Sequence, residues 1–169
     1  MSIIKGKVWK YGDDVNTDVI FPGKYTYTVS DPKEMPKHAL EDLDPRFRFD
    51  VQPGDFVVGG KNWGCGSSRE QAVVCLEQSK IGGIIAKSFA RIYYRNFINN
   101  ALPALTSPEA VDAIENGETI EVDLDSGEIH CKAGVFHFPQ LPEAVMGIFK
   151  AGGLIEYTQQ RLKAMAPKE

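Results

Sequence analysis

Asp55-Phe56-Val57-Val58-Gly59-Gly60-Lys61-Asn62-Trp63-Gly64-Cys65-Gly66-Ser67-Ser68-Arg69-Glu70 runs from an apolar stretch, through a glycine-rich turn, into a segment of helical periodicity. Residues 55–59 read as a short buried strand. Beyond the turn, Ala72, Cys75, Leu76 and Ser79 recur at helical spacing, with Val73 beside that face. A strand that passes through glycines into a helix leaves backbone N–H groups free and faces the positive end of the helix macrodipole. Ser67 and Ser68 add two hydroxyls there. Arg69, placed in the first helical turn, adds a planar fork suited to bidentate carboxylate binding.

Ser67-x-x-Glu70 also fits a capping box, in which the serine caps the helix and the glutamate reaches back. Two features favour an anion over a mere cap. One serine suffices to cap, and an arginine at the positive end of a helix dipole is electrostatically unfavourable without an anion beside it. Gly60, Gly64 and Gly66 further point to close approach of something to the backbone. The loop is expected to bind an anion, by its chemistry an organic carboxylate.

The 169 residues fit one domain with a real hydrophobic core. With 43% hydrophobic and 25% charged residues, a net charge of −4 and no block of like charge, the chain is not built for nonspecific nucleic-acid or acidic-membrane binding. No apolar run approaches the roughly 20 residues of a membrane span, and the N-terminus has no signal-peptide core. A cytoplasmic protein is expected. Cys65, Cys75 and Cys131 are odd in number and lack C-x-x-C spacing, which fits reduced thiols. Cys65 has no histidine near it in sequence to make it a nucleophile.

Along the chain, residues 3–10 read as an opening strand and 12–18 as a polar turn. Residues 24–30 read as a loop of extended character, followed by a short helix from Pro32 capped by Ser30 or Asp31. Residues 42–54 hold at most a helical turn. Residues 83–86 read as a buried strand. Phe89, Ile92, Tyr93, Asn96 and Phe97 then mark one face of an amphipathic helix that begins at Ser88. Ser107-Pro108-Glu109 opens another helix, serine as cap and proline at its first position, ending near Asn116-Gly117. Residues 119–124 and 128–131 straddle the hairpin signal Asp125-Ser126-Gly127, and 135–138 supply a third strand. Helices are expected from Pro142 to near Gly152 and over 153–165, with Lys168 and Glu169 fraying. The pattern predicts an α/β domain with a mixed sheet flanked by helices.

Arg91 and Arg95 stand one helical turn apart and can clamp an anion, but exposed arginines at that spacing are routine solvated surface. Tyr93, Phe89 and Phe97 are expected in the core. The acidic run 13–18 lacks the glycine and distant glutamate of a calcium loop and reads as a turn. His38, His130 and His137 form no ligand set or triad.

Three of these segments occur together in a familiar order: Asp14-x-Asn16-Thr17-Asp18-x-Ile20, Gly60-x-Asn62-x-Gly64-x-Gly66-Ser67-Ser68-Arg69-Glu70, and Ala86-x-Ser88-Phe89-Ala90-Arg91-Ile92. Together they resemble the aconitase family, and within it the short, separate small subunits that isopropylmalate dehydratases share with homoaconitase-like enzymes. The likeness covers most of residues 5–130. It implies a single swivelling β/β/α domain over residues 1–169, with its core at about 3–150 and a C-terminal helix at about 153–165.

The resemblance further implies a partner, a large subunit that carries a four-iron four-sulfur cluster on three of its own cysteines. This chain's cysteines match no cluster-ligand pattern, so no metal or cofactor of its own is expected. The family reaction removes water from a small hydroxy-dicarboxylate or tricarboxylate and re-adds it at the neighbouring carbon, with iron as Lewis acid and a serine as base. Carried over, Ser67 is the catalytic base, and Ser68 and Arg69 hold substrate carboxylate. Asp18, Asn62, Gly64, Gly66 and Arg91 support them, Arg91 by ordering the second loop. A serine needs activation; the dipole, N–H donors, Arg69 and exclusion of water all favour its alkoxide.

The family's substrate choice is associated with the loop after the Asp-rich turn, here Lys24, Tyr25, Thr26, Tyr27 and Thr28. It contains no arginine to hold an extra carboxylate. Interconversion of 2-isopropylmalate and 3-isopropylmalate is therefore expected, rather than action on homocitrate; dimethylmalate is the other small candidate. A stand-alone carboxylate-binding module without catalysis is the alternative of another class, and the isolated chain can self-associate as a homo-oligomer. Three residues depart from the family pattern: Gln71 for a histidine, Ala101 for a glycine, and Phe21 for a smaller aliphatic. Ala101 is less able than glycine to adopt positive φ, so a different local geometry is expected there.

Overall fold

Strand β1 (Ile3–Lys10) is the seam of the molecule. In the computed structural model, which describes residues 3–167, the chain leaves β1 through α1 (Thr17–Ile20), 3-10 turns at Gly23–Tyr25 and Pro32–His38, and α2 (Phe47–Asp50). It returns as β2 (Phe56–Val58), then α3 (Gln71–Gln78) leads to β3 (Gly83–Ala86) and α4 (Arg91–Asn99) to β4 (Ala104–Thr106). After α5 (Pro108–Ala113) come β5 (Thr119–Asp123), β6 (Glu128–Cys131) and β7 (Gly134–His137), then α6 (Glu143–Ala151) and α7 (Leu154–Met165). Lys168 and Glu169, expected to fray, lie outside the described residues.

The sheet has seven strands in the order β4-β3-β2-β1-β5-β6-β7. The end of β1 runs parallel to β2, Val8 opposite Phe56 and Lys10 opposite Val58. Its beginning runs antiparallel to β5, Ile3 opposite Asp123 and Lys7 opposite Thr119. One strand thus joins a parallel half, whose helical crossovers parallel pairing requires, to a meander of hairpins. Buried Asp55 pins the junction: it accepts from Lys7 N at 3.0 Å, Trp9 Nε1 at 2.9 Å and Gln52 N at 2.9 Å.

Successive strand residues fall into different cores, as the two-residue period dictates. Trp9, Val57, Ile84 and Ala104 pack with α3 and α4; Val8, Phe56, Val58, Ile85 and Leu105 pack with α5 and the meander. Both faces of the parallel half are covered, so its strands read as continuous apolar runs.

Several local expectations are corrected. Ser67 does not cap α3, which begins at Gln71 with Glu70 as its uncapped boundary residue; both serines and Arg69 precede the helix. The α4 helix begins at Arg91, not Ser88, so Tyr93, Phe97 and Ile98 are its buried face and Ile92 is 56% exposed. Ser107 turns away from the α5 N-terminus, and its hydroxyl donates to His137 O at 2.8 Å. Lys24 and Tyr25, at the start of the loop expected to be of extended character over 24–30, coil instead into the 3-10 turn Gly23–Tyr25. Strand β4 (Ala104–Thr106) is an element that the sequence reading does not contain. Ala101 takes up φ of 61°, so alanine is forced into the conformation that a glycine would adopt freely.

Candidate active site

Three loops leave the carboxyl ends of β1, β2 and β3, where ligands bind in open parallel sheets. They are laced to one another. Asn16 and Cys65 form a parallel bridge, with Thr17 N donating to Cys65 O at 2.9 Å and Gly64 N to Val15 O at 2.8 Å. Trp63 bridges Phe89: Trp63 N donates to Ser88 O at 3.0 Å and Ala90 N to Trp63 O at 2.9 Å. Gly64 makes this close approach possible, because at its φ of 80° a Cβ would sit 2.2 Å from Tyr93 Cγ.

Ser67 and Ser68 are exposed on this lattice and face a hollow of about 580 Å³. Thr17 fixes the serine segment from below, its hydroxyl donating to Ser67 O at 2.8 Å. Among the described residues, the amides of Ser67, Ser68 and Arg69 bond to no backbone carbonyl. The floor is Tyr93, whose ring stacks on Phe97 and whose hydroxyl donates to Ala72 O at 3.0 Å. Burial pushes that phenol well above its ordinary value, so it stays neutral.

Arg69 borders the hollow but most of its donors point into the protein. Nη2 reaches Thr17 O at 2.8 Å, Phe21 O at 2.7 Å and Asp18 Oδ1 at 2.8 Å, while Nη1 donates to Thr26 Oγ1 at 2.8 Å. Its fork gathers the β1 loop and the 24–28 segment around the serines. Asn62, at φ of 60°, donates to Asp14 Oδ1 at 3.2 Å, and its amide N–H goes to Ser88 Oγ at 2.8 Å.

The structure therefore brings together Gly64, Gly66, Ser67, Ser68, Arg69 and Arg91 around one hollow, with Asp18 and Asn62 behind. It does not bring Lys24, Tyr25, Thr26 or Tyr27 to the lining. Tyr25 stacks on His38 at 3.8 Å and donates to Glu41 Oε1 at 3.0 Å; Lys24 Nζ lies 3.9 Å from the same carboxylate, and Tyr27 points into solvent. Sequence reasoning missed Thr17 as the tie beneath Ser67. Arg95, which the sequence offered as half of an anion clamp but left as solvated surface, lines the hollow with Arg91. Gln71, a departure from the family pattern, donates to Thr26 O at 2.9 Å and so holds the 24–28 segment.

The three free cysteines do not form a donor set. Cys75 is fully buried on the core face of α3, with its thiol pushed up by burial, whereas Cys131 packs against the opposite core. They do not fit an iron–sulfur cluster. Among the described residues, no group of three or more His, Cys, Asp or Glu side chains is placed to share a metal ion, and no helix is long and apolar enough to cross a membrane.

A mixed sheet whose parallel strand ends present a Gly-Ser-Ser-Arg loop over an open hollow defines an aconitase-type domain, and the Aconitase C-terminal domain family matches residues 13–110. The 3-isopropylmalate dehydratase small subunit of Caldicellulosiruptor bescii is 52% identical over 95% of this chain and 98% of its own length. That of Thermodesulfovibrio yellowstonii is 46% identical over 94% and 95%. The crystal structure of 3-isopropylmalate dehydratase from Methanocaldococcus jannaschii superposes with a TM-score of 0.89 at 42% identity, over 96% of both chains. The chain belongs to the family of 3-isopropylmalate dehydratase small subunits.

Proposed function

We propose that this chain is the small subunit of a two-part hydro-lyase that interconverts 2-isopropylmalate and 3-isopropylmalate by dehydration and rehydration, a step of leucine biosynthesis. The observation that carries the reading is the exposed Ser67–Ser68 pair, held at an open hollow by the Thr17 hydroxyl on Ser67 O and by Arg69 on Thr17 O, in a chain of this family. The four-iron four-sulfur cluster of the reaction is assigned to the large subunit, and no cysteine set here competes for it.

Within that reading Ser67 Oγ takes the carbon-bound proton and returns it on rehydration. Because Ser67 does not sit at the end of α3, the helix dipole is three residues further off than the sequence implied and is a smaller part of its activation. The unpartnered amides at 67–69, the nearby guanidinium and the exclusion of water when the large subunit covers the hollow lower the cost of an alkoxide. Ser68 Oγ and those amides receive a carboxylate. The 24–28 segment has Lys24 as its only cation, and that ammonium faces Glu41 and the Tyr25 ring, which supports a substrate with a small apolar group over homocitrate. The three free thiols support a reducing, cytoplasmic setting.

Reconstitution with the cognate large subunit, assayed on isopropylmalate, dimethylmalate and homocitrate, tests the reading. Isopropylmalate is expected to be the best substrate and the lone chain to be inactive. A complex that binds substrate but never turns it over would leave only a binding module.

A further inference from the structure

The charges around the hollow do not balance. Arg69 is offset by Asp18 at 2.8 Å. Arg91 and Arg95, exposed on the same wall one turn apart on α4, form no ion pair among the described residues. Arg91 is also the first residue of α4, a helix with no acidic residue in its first turn and no side-chain cap. Cations at the positive end of a helix dipole are unfavourable unless an anion joins them. Two uncompensated positive charges thus face the serine pair across a hollow large enough for a small organic acid.

We infer that Arg91 and Arg95 together bind a second carboxylate of the substrate, opposite the one received at Ser68, so that the site selects dianions. This rests on the hydro-lyase reading and deepens it. Arg91 then touches substrate and is not a loop-ordering residue, and Arg95, which spacing alone leaves as solvated surface, becomes a specificity residue. The alternative occupant of this wall is an acidic side chain of the large subunit, and the experiment separates the two.

Calorimetric binding to the assembled complex, at saturating large subunit, would compare 3-isopropylmalate with 2-hydroxy-4-methylpentanoate, the same skeleton with one carboxylate replaced by hydrogen. The wild type is expected to prefer the dicarboxylate at least tenfold. In Arg91→Gln and Arg95→Gln most of that preference should vanish while monocarboxylate affinity stays within about twofold, and Arg95→Lys should restore part of it. An undiminished preference in the variant that combines Arg91→Gln with Arg95→Gln would overturn the inference, as would variants whose defect is confined to subunit assembly. A wild type without the preference would overturn it too. Because binding is read directly, a complex that prefers the dianion yet does not turn it over would contradict the hydro-lyase reading alone.

Discussion

Arg69 Nη2 lies 2.8 Å from Asp18 Oδ1, and the same guanidinium closes on two backbone carbonyls and a threonine hydroxyl. With its side chain only 14% exposed and its donors on protein acceptors, Arg69 is a structural fork. Lysine cannot supply that geometry. Arg69→Lys is expected to lower unfolding free energy by about 2–3 kcal/mol, the scale of hydrogen bonds to a charged group, read by urea denaturation. Asp18→Asn, at a side chain 64% exposed, should cost less than about 1 kcal/mol.

Ser67→Ala should cut turnover of the reconstituted complex by about a hundredfold or more, the usual worth of a positioned proton-transfer group. Its hydroxyl is exposed, so the melting temperature and affinity for the large subunit should hold. Near-normal turnover would remove Ser67 from the base role.

Gly64→Ala should be severely destabilising. The new methyl meets the Tyr93 ring at 2.2 Å with φ at 80°, and both overpacking and left-handed strain penalise it. A loss of about 3 kcal/mol or an insoluble chain is expected. Ala101→Gly should do the reverse. Relief of φ 61° is partly offset by the freer unfolded chain, for a net gain of up to about 1 kcal/mol in thermal or urea melts.

Glu41 predicts a pH signature. Burial pushes its carboxyl up, but hydrogen bonds from His38 and Tyr25 and the charge of Arg48 outweigh that and hold it below the ordinary value of 4.5. A carboxylate depressed on folding contributes stability above its unfolded value and loses it as pH falls through the folded one. Wild type should therefore lose more melting temperature than Glu41→Gln as pH drops below about 4.5. Parallel melting curves for the two proteins would refute this.

The sheet was largely legible because its signals are local. Apolar runs at 56–58 and 83–86 and the Asp125-Ser126-Gly127 turn each announce themselves within a few residues. Helix starts were read too early at Ser67 and Ser88 because both serines are held by loop-to-loop contacts rather than by the helices that follow. Thr17 reaches Ser67 across 50 positions, and Asn62 reaches Ser88 across 26. The glycine loop and its serines, expected from the sequence to bind an anion, line the hollow. The engagement of Arg69 was not legible, since its partners at 17, 21 and 26 become neighbours only once β1 and β2 pair.

The two bridges between residues 16 and 65 and between 63 and 89 weld the reactive loops into a single plate. The 24–28 segment hangs outside that plate, held by contacts from Arg69, Gln71 and Glu41. Under the proposed function the serine base therefore stands on the plate, while the segment associated with substrate choice in the family is a separate piece of chain. Replacing the hanging piece should retune which acid is accepted without recasting the plate that acts on it.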